Sequence, residues 1–530
     1  MPLGLGDDQD RAGYDQALDP WLASMWDAAL KLMPLPPGAV IDTSDSLPPS
    51  RYLVSPAAAE GTSAGAEMSD VTRGDHGTPS ARRPFMSLIV KNEVLTAAES
   101  EKEVLHLELD IEGSGMRYQP GDIVAIQPRN ADEQVRAMAE MCDLDLDASV
   151  TVVPNREAQS GEEDGIREPG CGWGTVSVRD VLTRHLDFMA TPRRRFFQLL
   201  PFFCPDEVQR ERLEELASKD GRVDLYDYCH KVGRSALEVL RDFPAARPPL
   251  HYLMELMPGL RPRLFSISSG PSCTPGRLSI TVGIVDYKSK TLMHRRGVCS
   301  GFLKAQGAQL HQLGVRQDER GRVPIWIQEG SLRLPQRKVA DKCAAGEARR
   351  GPEVEPCLSK AAAELATPLV LVGPGTGLAP LRSFLQERRF VRTRLVDQTG
   401  PAAGGQGVAK AQDLLFFGCR RRGCDYLYRQ ELEGLLSDGH LRHLGVAFSR
   451  DQPHKVYVQD KIREAGALVW SALEAGAVVM ISGASEKMPR DVREAFVAVV
   501  EAQSGQGAEY AEAYVKRLEA QRRYLLDTWS

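Results

Sequence analysis

Three hydrophobic rhythms succeed one another along the chain. Residues 85–130 and 246–335 carry β-type runs: FMSLIVKNEVLT, EVLHLELDI, YQPGDIVAIQP, RPRLFSISS, GRLSITVGIV and VPIWIQEG. EVLHLELDI alternates apolar with polar residues, the period of a strand with one covered face, and Pro120-Gly121-Asp122 supplies a turn. An antiparallel sheet is predicted. Between the two stretches, residues 131–245 read as short helices, among them ADEQVRAMAEMC, VSVRDVLTRHL, TPRRRFFQLLPFFC, PDEVQRERLEELAS and GRSALEVLRDFP. One β domain is thus split by a helical insertion. From residue 367 the continuous apolar runs TPLVLVG, DLLFFG, LGVAFS and AVVMISG are interleaved with helical stretches, the last starting near Ala508. That alternation predicts a parallel sheet covered on both faces.

Ahead of the first strands, Asp19 and Pro20 read as the N-cap and first residue of a helix. Trp21, Leu22, Met25, Trp26, Ala29 and Leu30 follow at helical spacing. Such a helix needs a surface to pack on. Residues 39–84 are rich in Pro, Ser, Ala, Gly and Thr and read as a linker. Inserts at 155–172, 336–366 and 397–411 interrupt the pattern, the last read as a loop.

Composition narrows the function classes. The chain has 530 residues, enough for several domains. Its net charge of −6 gives no support to nucleic-acid binding. The ten cysteines are scattered, with no CxxC and no zinc spacing. No metal site is expected, and a reducing compartment fits best. No run approaches the ~18 apolar residues of a membrane span, and the acidic start MPLGLGDDQD does not read as a secretory signal.

Four polar constellations stand out. Gly373-Pro374-Gly375-Thr376-Gly377-Leu378-Ala379-Pro380 follows the strand TPLVLV and opens the helix LRSFLQERR. A glycine-rich strand-to-helix turn lets backbone N–H groups approach a pyrophosphate and adds the partial positive charge of a helix start. A tight turn without ligand is the plain alternative. Ser449, Arg450, Lys455, Tyr457 and Gln459 lie just past the strand LGVAF, at the end of a parallel strand where ligands bind. Arg engages phosphate bidentately, Lys adds a point charge, and Tyr457 can stack on adenine. The cluster therefore reads as a site for the 2′-phosphate of NADPH rather than NADH, against the alternative of a solvated loop. Arg263-Leu264-Phe265-Ser266-Ile267-Ser268-Ser269 alternates Arg, aromatic and hydroxyl groups, so its ring can lie against a planar cofactor and Arg263 can hold a pyrophosphate; an ordinary amphipathic strand is the alternative. Gly297-Val298-Cys299-Ser300-Gly301-Phe302-Leu303 places small residues at a helix start, a second anion-binding turn or a plain cap. The arginines at 193–195 and 420–422 read as solvated faces, and Cys419 and Cys424 as buried or free thiols.

In this order the motifs resemble those of the NADPH-dependent diflavin oxidoreductase family, the group that includes cytochrome P450 reductase, the reductase domains of nitric oxide synthases and methionine synthase reductase. RLFSISS is similar to the family's FAD-binding strand, GVCSGFL to its FAD pyrophosphate turn, GPGTGLAP to its NADPH pyrophosphate loop and SRDQPHKVYVQ to its 2′-phosphate site. Asp527-Thr528-Trp529-Ser530 resembles its terminal segment, whose aromatic covers the flavin. The segment from GLGDDQ to PLPPG, Phe265, and SGAS at 482–485 resemble the branch that serves cytosolic iron–sulfur protein assembly.

The resemblance implies an α/β plus β fold. An antiparallel FAD-binding β-barrel (85–130 and 246–335) carries a helical connecting insertion (131–245). After the insertion 336–366 comes a Rossmann-like NADPH-binding parallel-sheet domain (367–530), the whole being ferredoxin reductase-like. Residues 1–38 resemble the C-terminal end of a flavodoxin-like FMN domain, and 39–84 are the linker. FAD and NADPH are the cofactors implied, with FMN only if the missing flavodoxin domain is present elsewhere. By family position Ser266, Asp527 and Trp529 are the catalytic candidates, Trp529 also covering the flavin. Ser482 stands where P450 reductases place a thiol, and Ala484 where they place an acid. Hydride passes from NADPH to FAD and single electrons pass onward, to FMN and then to an anamorsin-like iron–sulfur protein, or to a separate flavodoxin. No nucleic acid or membrane is expected as a partner, and the location implied is cytoplasmic. Two other readings are a ferredoxin–NADP reductase-type enzyme, against which the long helical segment argues, and a cofactor-dead scaffold for iron–sulfur assembly partners, against which the intact phosphate motifs argue.

Overall fold

Strands buried on both faces dictate the C-terminal sheet. In the computed structural model, which describes residues 15–35, 46–57, 78–155, 174–288, 294–308, 321–334, 365–407 and 411–529, five strands stand in the spatial order His443–Phe448, Leu414–Cys419, Leu369–Pro374, Val478–Ala484, Tyr524–Trp529. All four pairings are parallel. Along Leu369–Val372 every side chain is buried, and the period of two divides them between faces. Val370 and Val372 pack with Ile462, Val469, Phe496 and Val515. Leu369 and Leu371 pack with Leu381, Leu385, Leu432 and Leu435. The chain leaves the central strand Leu369–Pro374 toward one edge, then returns to add Val478–Ala484 on its other side. That reversal opens a crevice beyond the carboxyl ends of these two strands, where ligands bind in such sheets.

The same compact unit, which comprises Asp70–Gln127, Pro262–Val285 and Leu303–Ser530, holds the antiparallel sheet. Its order is Arg263–Ser266, Ile123–Ile126, Arg322–Gln328, Phe85–Val94, Val104–Asp110, Arg277–Gly283. A bridge between Ile267 and Ile280 links the two edge strands, the curl expected of a barrel.

A second unit comprises Met1–Ser69, Pro128–Arg261 and Asp286–Phe302. Its helices enclose a core around Phe188, Phe196, Phe197, Leu213, Leu237 and Leu253. Helix Ala236–Asp242 starts with a reciprocal cap between Ser235 and Glu238. Two sequence expectations need correction here. The segment 39–84, read as linker, contains the strand Tyr52–Pro56, and the stretch read as helical contains Ser149–Pro154 and Thr175–Ser177. The three form one antiparallel sheet. The β-branched run Ser149-Val150-Thr151-Val152-Val153 favours a strand, but one of its two partners, Tyr52–Pro56, lies about a hundred residues away, beyond any local pattern.

Helix boundaries differ too. The first helix is Asp15–Leu32, so Pro20 lies inside it rather than at its first position. Pro20 is the sixth helical residue, past the free N–H groups of the first turn, so one hydrogen bond of the helix is lost there. Its apolar stripe is half-buried, with Trp26 59% exposed. Helix Leu378–Gly407 continues through most of the segment 397–411 read as a loop. Turns already formed extend at one hydrogen bond per residue. The expectations for GLGDDQ, for Ser530 and for nearly all of the inserts 155–172 and 336–366 fall outside the described residues.

Candidate functional site

The glycine-rich turn sits at the mouth of the crevice. Gly375–Gly377 forms one 3-10 turn between strand Leu369–Pro374 and the helix from Leu378. Gly375 has φ +58° and a Cβ there would meet nothing within 4 Å. The left-handed backbone suits glycine, and the open space beside it leaves room for a phosphate. Gly377 has the opposite reason: a Cβ would lie 2.1 Å from the Ser482 carbonyl oxygen. The turn is therefore pressed against strand Val478–Ala484. Thr376 lies beside Gly283 of the antiparallel sheet, its methyl 3.7 Å from where a Cβ would stand.

Beside this turn the structure brings together residues from three distant segments. The Ser266 hydroxyl donates to Asp527 Oδ2 at 3.0 Å. The Ser331 hydroxyl donates to Asp527 Oδ1 at 3.2 Å. Asp527 stands opposite Ser482 in the parallel register. Ser482 is fully buried, and its Oγ has no hydrogen-bond partner among the described residues. A buried hydroxyl left unmatched is costly, so this atom fits a site that a ligand's polar group completes. Trp529 pairs with Ala484 at the end of the last strand and is 41% exposed, free of any fixed cover. Ser331 was not anticipated; its signal was a hydroxyl directly after the strand end in VPIWIQEGS.

Arg263, Phe265 and Ser266 line the edge strand Arg263–Ser266, half-buried, while Leu264 points to solvent. Ser268 and Ser269, expected as cofactor contacts, are fully buried. Ser269 Oγ is engaged inside the fold, accepting from Ser279 N at 2.9 Å and lying 2.8 Å from Tyr118 Oη. The Ser268 carbonyl accepts from Arg382. Gly297, Val298, Cys299 and Ser300 belong to the other unit, at the start of helix Val298–Ala308, whose first bond runs from Gly301 N to Gly297 O at 2.9 Å.

At the other end of the crevice, Ser449 and Arg450 leave strand His443–Phe448 still paired to the neighbouring strand and its continuation, with N–H groups on the carbonyls of Cys419 and Arg420. Lys455 and Tyr457 are exposed, and Gln459 is half-buried in helix Val458–Glu464. Tyr457 N–H donates to Asp460, which caps that helix. The arginines at 420–422 are not merely solvated. Arg420 shares a carboxylate, Glu101, with Arg450, and Arg422 lies 4.6 Å over the Phe448 ring. Neither role was legible locally, because Glu101 belongs to a hairpin of the antiparallel sheet and Phe448 to the next strand of the parallel one. Cys419 and Cys424 are free. Burial and the Asp425 carboxylate raise the Cys419 thiol pKa, so it stays protonated. No grouping of described residues has the makings of a metal site.

A buried polar clamp holds the helix that follows the turn against the antiparallel sheet. Tyr428, with φ +51° just before helix Arg429–Ser437, places its hydroxyl 2.9 Å from His106 Nδ1 and 2.8 Å from Thr281 Oγ1. Arg382 lies 4.2 Å over its ring and donates to Glu431 and to the Ser268 carbonyl. Burial lowers the His106 pKa, and the Arg382 charge adds to it.

Known proteins agree with this geometry. A family of FAD binding domains matches residues 78–302, and an oxidoreductase NAD-binding domain family matches residues 371–494. An NADPH-dependent diflavin oxidoreductase 1 of Xenopus laevis is 35% identical over all of this chain and 79% of its own length. Its Arabidopsis thaliana counterpart is 35% identical over 99% of the chain and likewise 79% of its own length. The NADPH–cytochrome P450 reductase of Drosophila melanogaster is 33% identical over 85% of the chain and 59% of its own length. No helix among the described residues is long and apolar enough to cross a membrane. The open turn at Gly375, the unmatched Ser482 hydroxyl and these likenesses along the chain converge: the chain is an oxidoreductase that uses FAD and NADPH, and it belongs to the NADPH-dependent diflavin oxidoreductases.

Proposed function

We propose that Ser266, Asp527 and Trp529 act at the reacting end of the crevice and that Gly375–Gly377, Ser449, Arg450, Lys455, Tyr457 and Gln459 bind NADPH. The observation that carries this reading is the Ser266–Asp527 hydrogen bond, which joins the strand assigned to FAD with the last strand of the nucleotide-binding sheet. When bound, NADPH supplies the hydride and FAD accepts it. Asp527, oriented by two serine hydroxyls, presents a fixed negative charge where positive charge develops on the ring that gives up hydride. Ser482 offers its unmatched hydroxyl to that ring's polar substituent. Trp529, exposed at a strand end, would cover the flavin and would move aside to admit the reacting ring. Arg263, Phe265 and Ser266 are assigned to FAD, and Gly297, Val298, Cys299 and Ser300 to its pyrophosphate.

Onward, single electrons leave through FMN to an anamorsin-like iron–sulfur protein, or to a separate flavodoxin, in the cytoplasm, and the chain serves iron–sulfur cluster assembly. The support is the resemblance of the N-terminal segment and of the SGAS at 482–485 to that branch. The test couples NADPH consumption by the FAD-loaded chain to reduction of such an iron–sulfur protein, with and without an added flavodoxin. Reduction above the rate of free FAD is expected. Reduction no faster than with free FAD under both conditions contradicts the assignment.

A further inference from the structure

The nucleotide-phosphate end of the crevice already holds an anion that belongs to the chain. Arg420 follows strand Leu414–Cys419 and Arg450 follows strand His443–Phe448, and Arg450 N–H to Arg420 O, 2.8 Å, keeps the two backbones together past the strand ends. Two guanidinium groups brought side by side repel unless an anion lies between them. Glu101 fills that place. Arg420 donates to its Oε2 at 2.7 Å, and Arg450 contacts its Oε1.

Glu101 comes from the hairpin tip between Phe85–Val94 and Val104–Asp110, outside the parallel sheet. Its position is built. Ala97 N–H donates to the Cys424 carbonyl at 2.8 Å, which ties the hairpin to the loop after Arg420, and Ser100 N–H closes back on Ala97 O at 3.0 Å. Ser100 Oγ then donates to Lys102 O at 2.9 Å. These bonds fix the backbone around Glu101 and aim its side chain at both arginines. A phosphate carries more charge and more acceptor oxygens than a carboxylate and displaces it.

We propose that Glu101 is an internal competitor for the 2′-phosphate. It occupies Arg450 while no nucleotide is bound, yields when a 2′-phosphorylated nucleotide arrives, and so sets the affinity for that phosphate without touching the rest of the nucleotide. Arg420 is the positioning residue that keeps the displaced carboxylate in place. This deepens the assignment of Arg450 to the 2′-phosphate and rests on it.

The experiment is calorimetric titration of the FAD-loaded full chain with 2′,5′-ADP and with 5′-AMP at low ionic strength, for the parent, Glu101→Gln, Glu101→Ala and Arg450→Gln. Both Glu101 variants are expected to bind 2′,5′-ADP about two- to fivefold more tightly, the scale of a lost exposed ion pair, with 5′-AMP unchanged. Unchanged or weaker 2′,5′-ADP binding in both variants, or an equal change for both nucleotides, overturns the role of Glu101. If that happens while Arg450→Gln weakens 2′,5′-ADP binding, the phosphate site itself stands. If Arg450→Gln has no effect on 2′,5′-ADP, the underlying assignment falls, and this inference falls with it.

Discussion

The two ends of the nucleotide crevice are built on opposite principles. At the reacting end, Asp527 is satisfied by Ser266 and Ser331, and Ser482 waits buried with an unmatched hydroxyl. No ion pair must be exchanged there before a ligand enters. At the phosphate end the groups are charged and more exposed, and the two arginines are already paired with the chain's own Glu101. Binding there is an exchange of one anion for another. The first arrangement suits chemistry, which gains from groups fixed in advance. The second tunes affinity, because a competitor for the 2′-phosphate weakens binding of the nucleotide that carries one and leaves the others unchanged.

The largest expected effect lies at the reacting end. Asp527→Asn keeps the shape and removes the charge. The rate of NADPH-driven flavin reduction, followed by rapid mixing without oxygen, should fall by roughly a hundredfold, while 2′,5′-ADP binding stays unchanged. An unaltered rate breaks the comparison at its stronger side. Next comes Arg450→Gln, which removes a charged hydrogen bond worth about 1.5–3 kcal/mol. The KM for NADPH should rise roughly ten- to hundredfold and that for NADH hardly at all. A parallel rise for both nucleotides would move Arg450 out of the phosphate contact.

The smallest effect concerns stability and the clamp behind the reacting end. Burial and then Arg382 lower the His106 pKa in the folded chain, against smaller opposing contributions from Glu108, with Lys91 acting in the same sense as Arg382. The unfolded chain therefore takes up the proton first as pH falls. Stability is lost as pH drops through the ordinary histidine range toward the lower folded value. His106→Gln should flatten part of that decline in melting temperature between about pH 7 and 5. A slope identical to the parent's removes His106 from the clamp's titration. His185, His251, His440 and His443 are lowered by burial too, so some slope remains.

What was legible beforehand was what a strand or a turn expresses within its own residues. The continuous apolar runs around Leu369, Leu414 and Val478 announced a parallel sheet, and the glycines at 375 and 377 announced the turn. Contacts between distant segments were silent. Ser331 meets Asp527 across 196 residues, and Arg450 meets Glu101 across 349. His106 sits at a polar position of an alternating strand, which predicts solvent, yet Tyr428, just ahead of helix Arg429–Ser437, covers it. Ser269 reads as a cofactor contact beside its neighbours, and its hydroxyl also bonds Ser279 and Tyr118 inside the fold, which no local pattern shows. Local pattern reports which side chains a segment offers, and tertiary packing decides which of them remain free for a ligand.

The central claim is that this chain brings NADPH to bound FAD and selects it by its phosphate. The direct measurement is the visible absorbance of the FAD-loaded protein on anaerobic addition of stoichiometric NADPH, then of NADH. The account predicts rapid bleaching by NADPH and much slower bleaching by NADH at the same concentration. A fully FAD-loaded protein whose colour NADPH leaves intact, or which both nucleotides bleach equally fast, contradicts it.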